Sequence, residues 1–199
     1  LCHSSIRINK EKTIYIDPFK INKNYNDADI IFITHDHYDH YSEEDIEKVI
    51  NKNTTIVIPE EMLIKLLKKG IDKNSILVVK PNEEYMVQGI KFETIPSYNV
   101  NKKFHPKENG WVGYIIEIDG IKYYVAGDTD ITEENSMVKC DVAFVPVGGT
   151  YTTDFKEAID GSSMILIVTP SKFVRETIKK FEKYVTNQEI IICSKGFEE

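Results

Sequence analysis

The sequence predicts an α+β fold, on three observations. Strand-like stretches follow one another in runs. Two of the strand pairs are joined by tight glycine-containing turns, Gln88-Gly89 and Asp119-Gly120. Helical stretches punctuate these runs too sparsely for a simple βαβ alternation.

Taken in order, Ile6–Ile8 and Thr13–Ile16 read as strands around the polar turn Asn9–Lys12. Asp17-Pro18 ends the second, because proline cannot extend a hydrogen-bonded ladder. Asn22–Asp29 is a polar connection. Ile30–Thr34 is nearly all apolar, as expected for a strand covered on both faces. Ser42 reads as a helix N-cap, with Glu43, Glu44 and Asp45 in the first turn of a helix that reaches about Asn51. Thr55–Ile58 is a strand stopped by Pro59. Glu60–Lys69 is a helix with an apolar stripe of Met62, Leu63, Leu66 and Leu67, ended by Gly70. Ser75–Val79 is a strand, and Glu84–Val87 with Ile90–Ile95 form a hairpin.

Pro96–Gly110 is a long loop carrying Lys102, Lys103, His105 and Lys107, and loops of this length inside a compact domain are usually functional. Trp111–Ile118 and Ile121–Ala126 are strands joined by Asp119-Gly120. Val142–Val147 reads as a buried strand, Thr153–Ile159 as a short helix and Met164–Val168 as a strand before Pro170. Phe173–Val185 is an amphipathic helix and Glu189–Cys193 a last strand. There is no internal repeat.

The 199 residues suit one domain, with 41% apolar content for its core. A net charge of −7 disfavours a general nucleic-acid binder, which needs a basic face. No apolar run approaches the length of a membrane span. Nothing reads as a signal peptide, and the first residue is Leu1 rather than Met, which leads us to expect a short piece ahead of it. Cys2, Cys140 and Cys193 are odd in number and far apart, so a reducing cytoplasm is expected rather than a disulfide framework.

The chemistry concentrates after Ile30–Ile33. That apolar strand runs into Thr34-His35-Asp36-His37-Tyr38-Asp39-His40, so three of the chain's five histidines fall within six positions. A lone histidine is more often structural. Packed imidazoles and carboxylates at a strand end are the ligand set of a metal site that keeps a position open. His105 in the long loop and Asp128 after Gly127 are two further candidates at separate segment ends.

This arrangement resembles the metallo-β-lactamase-fold hydrolases: His-x-His-x-Asp-His after an apolar strand, a distant His, then an Asp after a strand. It is similar to the branch that includes L-ascorbate-6-phosphate lactonase-like proteins and metal-dependent hydrolases. Further matching blocks are Cys2-His3-Ser4-Ser5, Thr13–Pro18, Tyr98-Asn99 through His105-Pro106-Lys107, Val112-Gly113-Tyr114, Gly127–Asp130 and Pro146–Tyr151. The resemblance implies a four-layer αβ/βα sandwich with metals at one edge. It assigns His35, His37 and His105 to a first metal, and Asp39, His40 and a bridging Asp128 to a second. Asp17 would brace the ligand loop. His3 would lie near the site, with packing as one role for it.

One departure stands out. The family closes its second metal site with a late His, and here Lys172 stands in the matching stretch Val168–Phe173, with no histidine after His105. Lys172 either points into the site, where its charge opposes a second cation or replaces it, or lies on the surface. The expected activity is metal-assisted hydrolysis with Zn²⁺, one or two ions, Mn²⁺ or Fe being compatible with the same donors. Asp39 would orient water or accept its proton. Taken singly, Lys102, Lys103, Lys107 and Lys172 each read as a solvated lysine; taken together they would form a basic rim for a small anionic lactone or phosphodiester. The alternative is a degenerate member that binds without efficient turnover. The expected partners are the small-molecule substrate and further copies of the chain.

Overall fold

The computed structural model describes residues 3–100, 102–147, 163–167 and 171–192. It comprises two compact units, Leu1–Pro146 and Val147–Glu199.

The first unit contains two five-stranded sheets. In one, β1 (Ile6–Asn9), β2 (Thr13–Ile16), β3 (Ile30–Phe32), β4 (Thr55–Pro59) and β5 (Ile76–Val79) lie in sequence order. β1 is antiparallel to β2 in the register Ile6↔Ile16, and β2 to β5 are mutually parallel. The other sheet orders β10 (Val142–Phe144), β9 (Ile121–Val125), β8 (Val112–Ile118), β7 (Ile90–Pro96) and β6 (Glu84–Val87). Its pairs are antiparallel except β9 with β10. Both expected hairpins are present, with positive φ at Gln88 and Gly89 and at Asp119 and Gly120, the signature of a type I′ turn.

Period-two alternation sorts the strand residues into layers. Ile14, Ile16, Ile30, Phe32 and Val57 pack against Phe92, Val112, Tyr114, Ile116 and Val125 to form the core between the sheets. Tyr15, Ile31, Ile33, Ile56 and Ile58 point the other way. They pack under α1 (Glu43–Val49), the short turn Glu60–Met62 and α2 (Leu63–Lys68), through Ile46, Val49, Met62 and Leu66. On the far face of the second sheet, Ile115, Tyr124 and Ala126 pack with Ile95, Val138, Cys140 and Val145. The Ser42 cap forms as expected, its hydroxyl accepting from Asp45 N.

Several expectations change. The first helix stops at Val49 because Ile50 turns to extended backbone and feeds β4. The expected helix Glu60–Lys69 divides into a 3₁₀ turn, Glu60–Met62, and α2, where Leu66 is the buried residue and Leu67 is exposed. β10 is an edge strand with Ala143 and Phe144 exposed, rather than a buried one. A short helix absent from the sequence reading, α3 (Glu133–Ser136), is held by a reciprocal capping box between Thr132 and Asn135.

The second unit contains parallel strands β11 (Met164–Ile167) and β12 (Glu189–Ile192) and the helix α4 (Ser171–Phe181). Ile165, Val174, Ile178, Tyr184 and Val185 pack together. Thr153–Ile159, Gly148-Gly149, Val168, Pro170, Cys2 and Cys193 lie outside the described residues. Among those described, no helix is long and apolar enough to cross a membrane.

Candidate metal centre

Four strand ends supply the site. β3 gives up its ladder after Phe32. Ile33 N still donates to Val57 O at 3.0 Å, but Thr34 N turns to Asp17 Oδ1 at 2.8 Å. The chain then curls, with His37 O accepting from both His40 N and Tyr41 N. This turn gathers His35, His37, Asp39 and His40. The loop after β7 is pinned by Asn99 N donating to His105 O at 2.8 Å. His105 itself sits at φ 58. A left-handed non-glycine backbone is disfavoured and persists where surrounding structure holds it. At the end of β9, a Cβ on Gly127 would lie 3.1 Å from both Thr34 Cβ and Ser97 Oγ, at φ +64, so only glycine lets Asp128 come this close to the β3 loop.

The donor atoms of His35, His37, His105 and Asp128 converge within 4.8 Å of one another. His35 Nε2 is 3.2 Å from His37 Nδ1, His105 Nε2 is 3.1 Å from His37 Nδ1, and His105 Nε2 is 3.4 Å from Asp128 Oδ2. A tetrahedral ion with bonds of about 2.0–2.1 Å has donor–donor edges of about 3.3–3.4 Å, so the spacing suits a metal. Trp111 packs behind the imidazoles, its ring centre 4.9 Å from those of His35 and His37 and 5.5 Å from that of His105. Its indole N–H donates to Glu61 at 2.9 Å.

A second group joins His3, Asp39 and His40. His3 Nε2 lies 2.8 Å from Asp39 Oδ2. His40 Nδ1 donates to Asp17 Oδ2 at 2.7 Å, while its Nε2 is buried with no hydrogen-bond partner and sits 3.4 Å from Asp128 Oδ1. A buried ring nitrogen of this kind is costly unless a partner meets it. Asp128 therefore presents one oxygen to each group.

Asp17 wires both groups. Its Oδ2 accepts from the Thr34 hydroxyl at 2.7 Å as well as from His40. The same hydroxyl is 2.9 Å from His35 Nδ1. With Thr34 donating to Asp17, it accepts the His35 Nδ1 proton, and Nε2 of both His35 and His40 is left to face the site.

Burial holds His35 well below its ordinary value, with the His40 charge adding to the effect, so His35 is neutral. Burial also lowers His37, with His105 contributing. Burial would lower His40 too, but Asp17 and Asp128 outweigh it and push it up to about 10. Burial would raise Asp128, but contacts with His105 and His40 bring it well below the usual carboxylate range. Without a metal the His40 imidazolium balances Asp17 and Asp128, and a cation entering the site would take the place of its Nε2 proton.

All six residues expected as ligands meet here, and the Asp17 brace is where the sequence placed it. Sequence reasoning left His3 open and passed over Trp111 and Thr34. The lysine rim differs from expectation. Lys102 is paired with Asp130, and Lys107 is paired with Glu134 while contacting the Tyr98 hydroxyl. Lys172 lies in the first turn of α4, and its side chain is outside the described set.

Residues 1–166 match the model of the β-lactamase superfamily domain. A metal-dependent hydrolase of Thermococcus onnurineus is 28% identical over 187 residues, covering 87% of this chain and 80% of its own length. The crystal structure of a candidate metal-dependent hydrolase from Parabacteroides distasonis superposes with a TM-score of 0.74 at 28% identity, covering 96% of this chain and 89% of the other. A metallo hydrolase from Ignicoccus hospitalis shares the fold at TM-score 0.70 and 20% identity, covering 98% and 93%.

Proposed function

The chain belongs to the β-lactamase superfamily, and we propose that within it the protein is a metal-dependent hydrolase of a small electrophilic substrate. The observation that carries this reading is the convergence of His35, His37, His105 and Asp128, whose donor atoms face one another at ligand spacing. His35, His37 and His105 would hold a first ion and Asp39 and His40 a second, with Asp128 between them. Zinc, our choice for this donor set, would act as a Lewis acid and lower the pKa of water to about 7, supplying hydroxide at neutral pH.

The chain's own residues do the rest. Asp17, through Thr34 and directly through His40, fixes both imidazole tautomers. Trp111 shields the histidines from solvent on one side. Asp39, with a side chain 21% exposed, is the carboxylate with room to take a proton from attacking water and return it to a leaving group. For the substrate we propose a lactone or phosphodiester. Its anionic character would be met chiefly at the metal centre, because Lys102 and Lys107 are already neutralised by Asp130 and Glu134. The lactonase-like branch is supported by the sequence blocks alone.

Metal-loaded protein is expected to hydrolyse at least one member of a panel of lactones, phosphodiesters and thioesters. Turnover should vanish on chelation, return with Zn²⁺ and be absent in His35→Ala. Full turnover by His35→Ala in metal-free buffer would refute the mechanism.

A further inference from the structure

We infer that His3 is a ligand of the second metal, completing a site that the late part of the chain leaves without a histidine. The inference rests on the metal-centre reading above and goes beyond it in naming the donor.

The chain has five histidines, at positions 3, 35, 37, 40 and 105, and none follows His105. All five fall in the two donor groups. Among the described residues, the second group without His3 has only Asp39 and His40, with Asp128 Oδ1 3.4 Å from His40 Nε2. With it, each group has three donors besides Asp128, whose two oxygens lie 3.4 Å from His105 Nε2 and from His40 Nε2.

The topology explains how a residue so early in the chain arrives there. β1 runs antiparallel to β2 with Ile6 opposite Ile16. The residues just before β1 therefore lie beside those just after β2, where Asp17 begins the site. Ser5 Oγ accepting from Phe19 N at 3.2 Å ties the two segments together. His3 is held at φ 57, with its ring edge-on to Phe19 at 5.9 Å and to His40 at 6.0 Å. Its Nε2 faces Asp39 at 2.8 Å, and His40, whose buried Nε2 has no hydrogen-bond partner, belongs to the same group, with one ligand atom of each residue within 4.8 Å of the others. Every donor of both groups then lies in the unit Leu1–Pro146, and no side chain at position 172 is required.

A hydrogen bond to Asp39 alone would make His3 a positioning residue, and the two roles separate by substitution. His3→Ala removes both. His3→Gln keeps a side chain able to donate to Asp39 but is a poor ligand. Removing a partner that only orients a ligand costs roughly 10–100-fold in metal affinity, so losing the ligand itself should cost more than about 100-fold.

The test is zinc per chain by elemental analysis after dialysis at fixed free metal, with each affinity taken by chelator competition. The expected result is two ions in the parent and one in both His3→Ala and His3→Gln, the second affinity falling more than about 100-fold while the first holds. Lys172→His should not change the parent's two. Two ions at near-parent affinity in His3→Gln would overturn the inference and leave His3 as a holder of Asp39. One ion in the parent, rising to two only in Lys172→His, would overturn it as well while leaving the first site intact. No ion in the parent would overturn the metal-centre reading itself.

Discussion

Replacing Asp17 by Asn tests whether one buried carboxylate sets the tautomers of two ligand histidines. Asp17 is 1% exposed and accepts from Thr34 N, the Thr34 hydroxyl and His40 Nδ1 at 2.8, 2.7 and 2.7 Å. In Asp17→Asn the amide oxygen can keep the Thr34 N–H bond, which puts the NH₂ where Oδ2 was. It then faces two donors. To relieve this, His40 must move its proton from Nδ1 to Nε2, and the Thr34 hydroxyl must reverse and donate to His35 Nδ1. Both changes place a proton on the nitrogen that faces the metal. The same substitution beside a catalytic histidine elsewhere traps the wrong tautomer. Loss of such orienting partners costs about 10–100-fold in affinity, or roughly 1.4–2.8 kcal/mol for each ion. The metal-free protein also loses a charge-assisted bond worth about 1.5–3 kcal/mol. Chelator competition would read the affinities, and ¹⁵N NMR of the imidazoles would read the tautomers. Parent affinity at both sites, with His40 still protonated at Nδ1, would refute the reasoning.

Three more predictions follow from the same contacts. Gly127→Ala forces a Cβ to 3.1 Å from Thr34 and Ser97 in a left-handed backbone, so stability should fall by about 1–3 kcal/mol and zinc binding should weaken, as read by denaturant melts and metal titration. Asp45, which accepts from Lys20 N and Ile21 N at 2.8 Å each, is held below its ordinary value by Ser42, Lys48 and those amides against the effect of burial. Asp45→Ala should cost roughly 2–4 kcal/mol at neutral pH. Because the folded carboxyl is depressed, its contribution is present above the unfolded value of about 3.9 and is lost as pH falls through the folded value, so parent and variant should converge in acid melts. Zinc at about 100 times its dissociation constant should stabilise the folded chain by about 2.7 kcal/mol for each site and raise the melting midpoint by several degrees. A calorimetric midpoint that chelator leaves unchanged would contradict this.

What the sequence made legible was what it repeats or concentrates. The apolar runs Ile14–Ile16 and Ile30–Ile33 marked strands, the second one covered on both faces as observed, and the turn chemistry of Gln88-Gly89 and Asp119-Gly120 gave both hairpins. Histidine density marked the site. The rest depended on tertiary placement. Trp111 heads an apolar strand and cannot be told by pattern from a core residue, although it packs on three imidazoles. His3 is a single polar residue before a hairpin; the resemblance put it near the site, and the β1–β2 register shows which donors it meets. Lys102 and Lys107 read as a basic rim because their acidic partners, Asp130 and Glu134, lie more than twenty residues away. α3 is a single turn of helix, too short for a periodic signal.

The meeting of the donors at one edge is a consequence of strand direction. β2 and β3 are parallel, so Asp17 and the His35–His40 turn leave the first sheet at the same end. In the second sheet β7 and β9 are both antiparallel to β8 and so run the same way. The loop holding His105 and the Gly127-Asp128 turn therefore leave at one end too, where β8 begins next to Trp111. The sheets are joined at that edge by Val112 N donating to Thr34 O at 3.2 Å, and beneath it by the Tyr114 hydroxyl donating to Ile33 O at 2.7 Å. Ligands of α/β folds commonly sit beyond the carboxyl ends of strands, where loops are free to vary while the ladder holds them in place. His3 reaches this edge by the opposite route, at the start of a strand. It can do so because β1 is the one antiparallel member of its sheet. A parallel β1 would have carried His3 to the opposite end of the sheet, away from Asp39, and the second donor group would be one imidazole short.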